Sequence, residues 1–292
     1  MVPWHVDAIG GVMRLLPAEV PEARDQRTRI ALQPRWGRTR RNLTMSLAMS
    51  FSVVVLCAGM LGLVATGPGE YPWLAVALLF AAVAPAAVYA WWLRGRGLSE
   101  PSAWPKVAFV VGGVQLLVAG IPSIGIATSA ASGAGQVVAG VLFMLCWACL
   151  VVSTVAARRA VQLLLTPLVP ELGATRVTLT VGVRFALIAP ELISARLEIA
   201  SDRLVWTARA HRGRGAGPSA GGVIPFADLW QVTPVELPRV PNPHPWVTLP
   251  NGTVLYAQPG PALSLTTAGG QWMVPVHDAV VLAAVIELRR RP

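Results

Sequence analysis

Residues 141–153 read VLFMLCWACLVVS, and within them Cys146 and Cys149 are separated by two residues. That C-x-x-C spacing suits thiol–disulfide exchange, in which one thiolate attacks and the second resolves the mixed disulfide. The two sulfurs are not sufficient. A thiolate needs a neighbouring cation, metal or helix N-terminus, and a membrane oxidoreductase also needs a cysteine relay at the outer face. The chain has only three cysteines, Cys57, Cys146 and Cys149, all in apolar runs. No extracellular disulfide framework follows from that set.

Other chemistry is poorly represented. The four histidines, His5, His211, His244 and His277, are scattered and lack metal-ligand spacing. The glycine-rich stretches GPGE, GAGQ and GRGAGPSAGG lack the lysine and hydroxyl residue of a phosphate loop. No serine occupies a G-x-S-x-G elbow. Glu191, Glu198 and Asp202 read as solvated strand ends. These observations predict no enzyme, no cofactor and no metal site.

The surrounding elements explain why. Of 292 residues, 54% are hydrophobic and 13% charged, about half the usual charged share, which points to a membrane. Four segments, at 43–66, 71–93, 105–128 and 134–157, supply the roughly 20 apolar residues that a spanning helix requires. None carries a charge in its interior, Lys106 lying at an edge. That argues against ion-coupled transport, which normally needs an intramembrane charge. Gly112, Gly113, Gly120 and Gly125 in the third span read as helix-packing positions, the alternative being a hinge beside a cavity.

Basic residues set the orientation. Arg35, Arg38, Arg40 and Arg41 precede span one, Arg94, Arg96 and Lys106 lie between spans two and three, and Arg158 and Arg159 follow span four. The other two loops, 67–70 and 129–133, carry none. Both termini are therefore expected in the cytoplasm of a multi-pass protein of a bacterial plasma membrane. Residues 1–42 are too long and too charged for a signal peptide. The same arginines would touch anionic lipid headgroups, each contributing about 1 kcal/mol. Trp73, Trp91, Trp92 and Trp104 sit where interfacial anchors belong. In MVPWHVDAIGGVMRLL, Val6, Ile9, Val12, Met13 and Leu16 share one face of a short interfacial helix. The net charge of +10 is spread along the chain, and no nucleic-acid motif accompanies it, so no nucleic acid is expected.

Entering from the outer face near residue 134, span four would carry Cys146 about 18 Å deep. The outer loops hold no cysteine to relay electrons, so the pair reads better as packing, with Cys57 as a neighbour.

After residue 158 the pattern changes. AVQLLLTPLVPELG forms an exit helix and linker, and period-two alternation follows in 175–181, 194–201 and 202–209. Residues 211–222 read as a flexible loop and 223–237 as the next extended stretch. Asn251-Gly252 and Gly269-Gly270 signal hairpin turns between later strands. HDAVVLAAVIELRRR is a closing amphipathic helix whose Arg289–Arg291 would complement its dipole. The fold class expected is an α+β membrane protein, a four-helix bundle followed by a small β-barrel or sandwich closed by the C-terminal helix. Its segments are a basic tail (1–42), a transmembrane domain (43–157), a linker (158–173) and a cytoplasmic β-domain (174–292).

The stretches DRLVW, IPFADLWQVTPVEL and GPALSLTTAGGQWMVPVHDAVVLAAVIELRR resemble the bacterial pleckstrin-homology-like domains appended to small actinobacterial-type membrane proteins. The resemblance covers roughly residues 175–291 and implies a PH-like fold that binds or scaffolds, by analogy only. The expected function is a non-enzymatic membrane scaffold binding a protein or a lipid. The alternatives are an accessory subunit of a transporter or other membrane complex, and a thiol oxidoreductase using Cys146 and Cys149.

Overall fold

The computed structural model describes residues 16–63, 72–186, 192–212, 215–239 and 245–291. The face proposed for residues 6–16 lies outside them, apart from Leu16. The chain divides into a helical unit (Met1–Val20 with Gln33–Leu164) and a β unit (Pro21–Leu32 with Leu165–Pro292).

The helical unit is built from α1 (Gln26–Gly62), α2 (Pro72–Arg94), α3 (Trp104–Gln115), α4 (Ile121–Ala130) and α5 (Gly133–Leu165). The first turns of α1 belong to the β unit. A π-helical turn, Leu116–Gly120, joins α3 to α4, so the third apolar segment is one helix with a local irregularity. Among the described residues, four helices are thus long and apolar enough to cross a membrane. Their outward faces carry Val55, Phe80, Phe109, Leu117, Val137 and Met144, all exposed. A water-soluble bundle would place polar residues there, whereas hydrocarbon accepts such a surface.

Inside, Val53, Cys57, Met60, Ala82, Leu116, Ala119, Cys146 and Leu150 form one buried cluster. Small residues permit the close approach. A Cβ on Gly112 would collide with Leu150 Cδ1, and one on Gly120 would press on Leu116 at 3.3 Å. Gly113 and Gly125 face open space, so packing explains only half of the glycine set. Gln115, fully buried, donates to the carbonyls of Ser50 (3.0 Å) and Ala82 (2.8 Å), joining three helices beside the π turn.

α1 starts at Asp25, whose carboxylate accepts the Thr28 backbone N–H at 2.6 Å and the Thr28 hydroxyl at 3.1 Å. This is N-cap geometry, and that backbone N–H holds the Asp25 carboxyl below the usual aspartate range. The helix therefore begins well before residue 43, and Arg35–Arg41 ride on it.

The β unit contains three antiparallel sheets. The first is β1 (Leu179–Gly182), β3 (Leu192–Ile199), β4 (Arg203–Arg212) and β5 (Gly215–Pro225), in that order. The second has the order β10 (Gly270–Pro275), β9 (Gly260–Thr267) and β6 (Leu229–Leu237). The third runs β2 (Phe185–Ala186), β8 (Val254–Ala257) and β7 (Pro245–Thr248). Among the described residues no closed barrel forms, which corrects the barrel alternative of the barrel-or-sandwich expectation. Each sheet keeps two edges, and α6 (Ala279–Arg290) packs on β6 and β9 rather than plugging an opening.

The period-two reading holds in β3 and β4, where Ala195, Leu197 and Ile199 and then Leu204, Ala208 and Ala210 are buried. The flexible loop expected at 211–222 is instead the end of β4 and most of β5. Its glycines serve close approach. A Cβ at Gly217 would strike the Ala210 carbonyl oxygen, and one at Gly222 would lie 2.5 Å from Trp206 Nε1. The stretch 223–237 is divided between two sheets by a 3-10 turn at Phe226–Asp228. Both hairpin signals hold, with Gly252 and Gly270 at φ of +82° and +115°.

The β unit also includes the N-terminal segment. Ala23 bridges Thr175, and the Arg24 N–H donates to the Ala174 carbonyl at 3.0 Å. The Arg24 guanidinium donates to the Arg291 carbonyl at 2.9 Å at the end of α6. The dipole role expected of Arg289 thus has Arg24 as a contributor. Arg289 turns inward, 3% exposed, and donates to the carbonyls of Ile199 (2.5 Å), Ala200 (2.7 Å) and Val177. Burial, with Arg24 nearby, pushes its guanidinium down to about 10.

Candidate functional site

Cys146 is fully buried in the helical cluster, with Cys57 beside it, and Cys149 is partly exposed one turn on. All three are free thiols. The described residues packed around Cys146 are mostly apolar, including Val53, Met60, Ala119 and Leu150.

The arginines expected at the membrane surface gather at one end of the helical unit. Ser46 Oγ hydrogen-bonds Tyr89 Oη at 3.0 Å and Ser153 Oγ at 2.9 Å, which sets α1, α2 and α5 level there. Arg41, Arg94 and Arg158 each lie five residues beyond that level on their own helix, about 7.5 Å toward the same end. Arg38, Arg41, Arg94, Arg96, Arg158 and Arg159 are exposed there, while Arg35 and Arg40 are half-buried and engaged in interactions. Trp91, Trp92, Arg94 and Arg96 line a recess at this end. Such a surface can hold phosphate headgroups, but it is open and shallow.

The better-formed site lies in the β unit. Alternation along β4 turns Trp206 to the same face as the buried Leu204 and Ala208. In β10 it puts Trp272 and the buried Val274 on one face. In β7 the register slips between Pro245 and Val247, leaving Trp246 at a bulge, a device that re-aims a side chain. One tryptophan from each sheet therefore meets the other two. Ring centroids are 5.3 Å apart for Trp206 and Trp272, 5.9 Å for Trp246 and Trp272, and 6.1 Å for Trp206 and Trp246.

Two members of this junction, Trp246 and Trp272, line a cavity of about 510 Å³, within the roughly 300–1,000 Å³ usual for ligand sites. The rest is Val235, Leu237, Pro238, Pro245, Pro259 and Met273, with Glu236 and Gln271 as the polar members. Trp246 is 8% exposed, and its indole N–H has no acceptor. A buried donor without a partner costs free energy that a native structure rarely accepts without use.

The chain matches no family model, no curated protein and no solved structure.

Sequence reasoning assigned tryptophans only to the bilayer interface and so overlooked Trp206, Trp246 and Trp272. A signal was present, since Trp206 and Trp272 occupy alternating positions in strands that the sequence does indicate. What linear pattern could not supply is the convergence of three sheets on one point. Of the histidines, His211 bonds Ser194 Oγ at 2.9 Å in an exposed position and His277 is exposed, whereas His5 and His244 lie outside the described residues.

Proposed function

We propose that this chain is a non-enzymatic integral membrane protein whose β unit, PH-like in character, is a binding module displayed at the cytoplasmic face of a bacterial plasma membrane. The observation that carries the reading is the apolar cavity lined by Trp246 and Trp272, in a chain whose described residues also include four membrane-length apolar helices. A cavity lined by apolar groups and few polar ones suits recognition more than catalysis. The exposed arginines at one end of the helical unit support contact with anionic headgroups.

The test is co-purification of the full-length chain, extracted in mild detergent after crosslinking in its native membrane. Enrichment of a specific protein, or of one lipid class over the bulk membrane composition, is expected. Elution of the chain alone, with bulk lipid only, would overturn the reading.

A further inference from the structure

We propose that the free edge of β10 and the tryptophan junction beside it bind an extended apolar segment of a partner protein as an added strand. This deepens the binding-module reading and rests on it.

The hydrogen-bonding direction along β10 is fixed at its end. The Val276 N–H donates to the Pro261 carbonyl at 3.1 Å, on the β9 side. The Pro275 carbonyl accepts from the Arg184 N–H at 2.9 Å, on the other side. In an antiparallel strand the N–H and C=O of one residue point the same way and alternate along the chain. The register from Gly270 to Pro275 is unbroken. Gln271 and Met273 therefore direct their N–H and C=O groups away from β9. No described strand pairs with them there, because β10 is an edge.

Both residues line the cavity, and both are exposed. The cavity thus presents two backbone donor–acceptor pairs about 6.8 Å apart, the repeat of an extended chain. An edge strand with open hydrogen-bonding groups beside a side-chain pocket is the arrangement that accepts a peptide strand.

Other ligand classes fit less well. An acyl chain would cover the tryptophans but leave the edge backbone groups unsatisfied. A cation cage needs space between rings, and these rings are in mutual contact at 5.3–6.1 Å. A sugar would need a denser set of polar groups than Glu236 and Gln271, and the Gln271 amide already donates to Ser264 Oγ at 2.6 Å. Among the described residues, Glu236 is the one charged residue lining the cavity, and it is exposed there without an ion-pair partner. The added strand accordingly carries alternate apolar side chains and a basic residue near one end.

The experiment selects a displayed library of random twelve-residue peptides on the full-length chain in nanodiscs, then measures Kd of the enriched peptides by tryptophan fluorescence. Peptides with apolar residues at every second position and a Lys or Arg are expected. Met273→Pro removes the outward N–H and keeps the β9 ladder, as Pro275 already does two residues on. It should weaken binding roughly tenfold, one hydrogen bond's worth. Glu236→Gln should remove the preference for the basic residue. Enriched peptides that bind Met273→Pro and the parent chain equally would overturn the proposal. So would failure to enrich any peptide while anionic or neutral lipid vesicles quench the cavity tryptophans. If no peptide is enriched but a protein or lipid still co-purifies, the strand proposal falls and the binding-module reading stands. If co-purification also fails, both fall.

Discussion

The Ser153 hydroxyl of α5 lies 2.9 Å from Ser46 Oγ and 3.0 Å from the Ser46 carbonyl oxygen of α1, 107 residues away in sequence. Tyr89 of α2 completes the group, so three apolar helices share a buried polar contact, as they do again at Gln115. In lipid such a bond contributes about 0.6 kcal/mol on average. Ser153→Ala should destabilise the bundle by about that much, followed by circular dichroism during denaturation in mixed micelles. A double-mutant cycle with Ser46→Ala should show coupling, and strict additivity would mean that the contact contributes nothing.

Arg289 is a buried cation whose two terminal nitrogens donate to carbonyls rather than to a carboxylate. Arg289→Met leaves those carbonyls without a donor and should cost about 3 kcal/mol, read as a lowered unfolding midpoint of the full-length chain. Its pH behaviour has a definite sign. The folded pKa, about 10, lies below the ordinary 12.5, so between those values unfolding takes up a proton and stability rises with pH. Below that window the group is charged in both states. A dependence on Arg289 between pH 5 and 9, seen by comparing parent and Arg289→Met, would contradict this account.

Asp25 titrates with the same sign but at the acid end of the scale. Its carboxyl is held low by the Thr28 N–H, so the cap is intact at neutral pH and fails as pH drops through the aspartate range. Asp25→Ala should lower the unfolding midpoint at pH 7 and flatten its fall between pH 5 and 3. Asp25→Asn, which keeps an acceptor, should flatten the acid response while retaining most of the neutral-pH midpoint.

Gly217 has no room for a side chain against the Ala210 carbonyl, whereas Gly182 in β1 has nothing within 4 Å. Gly217→Ala should destabilise by about 1–3 kcal/mol, as forced overpacking does. Gly182→Ala should be close to neutral. Equal effects would show that β5 does not run against β4 as described.

In intact membranes, a membrane-impermeant maleimide should leave Cys57 and Cys146 unmodified, and denaturing detergent should expose both. Mass spectrometry of the alkylated chain reads the result. Rapid labelling of Cys146 in the native membrane would restore a redox reading of the C-x-x-C pair.

The long apolar helices and the alternation in β3 and β4 were legible because burial imposes a period on residue type. The β5 strand was not, since GRGAGPSAGG has the composition of a loop. There glycine answers to the backbone of β4 passing beneath, a constraint with no sequence period. Arg289 looked like one of three helix-terminal arginines, because only tertiary contact distinguishes the one that points inward. The cavity depends on a bulge at Trp246 and on strand edges, both properties of pairing between segments. The expected barrel failed for the same reason: strand count is visible in a sequence, but closure is a matter of which edges meet.

The bridge between Ala23 and Thr175, with the Arg24 N–H 3.0 Å from the Ala174 carbonyl, has a topological consequence. No bilayer fits between two hydrogen-bonded atoms. The chain leaving residue 25 must therefore return to the same side before residue 165, and it can cross a membrane only an even number of times. Four apolar helices meet that parity, and three would not. If all four helices cross a membrane, deleting any single one would strand the N-terminal segment opposite its partners and undo the β unit at a distance, whereas removing an adjacent pair would preserve the count.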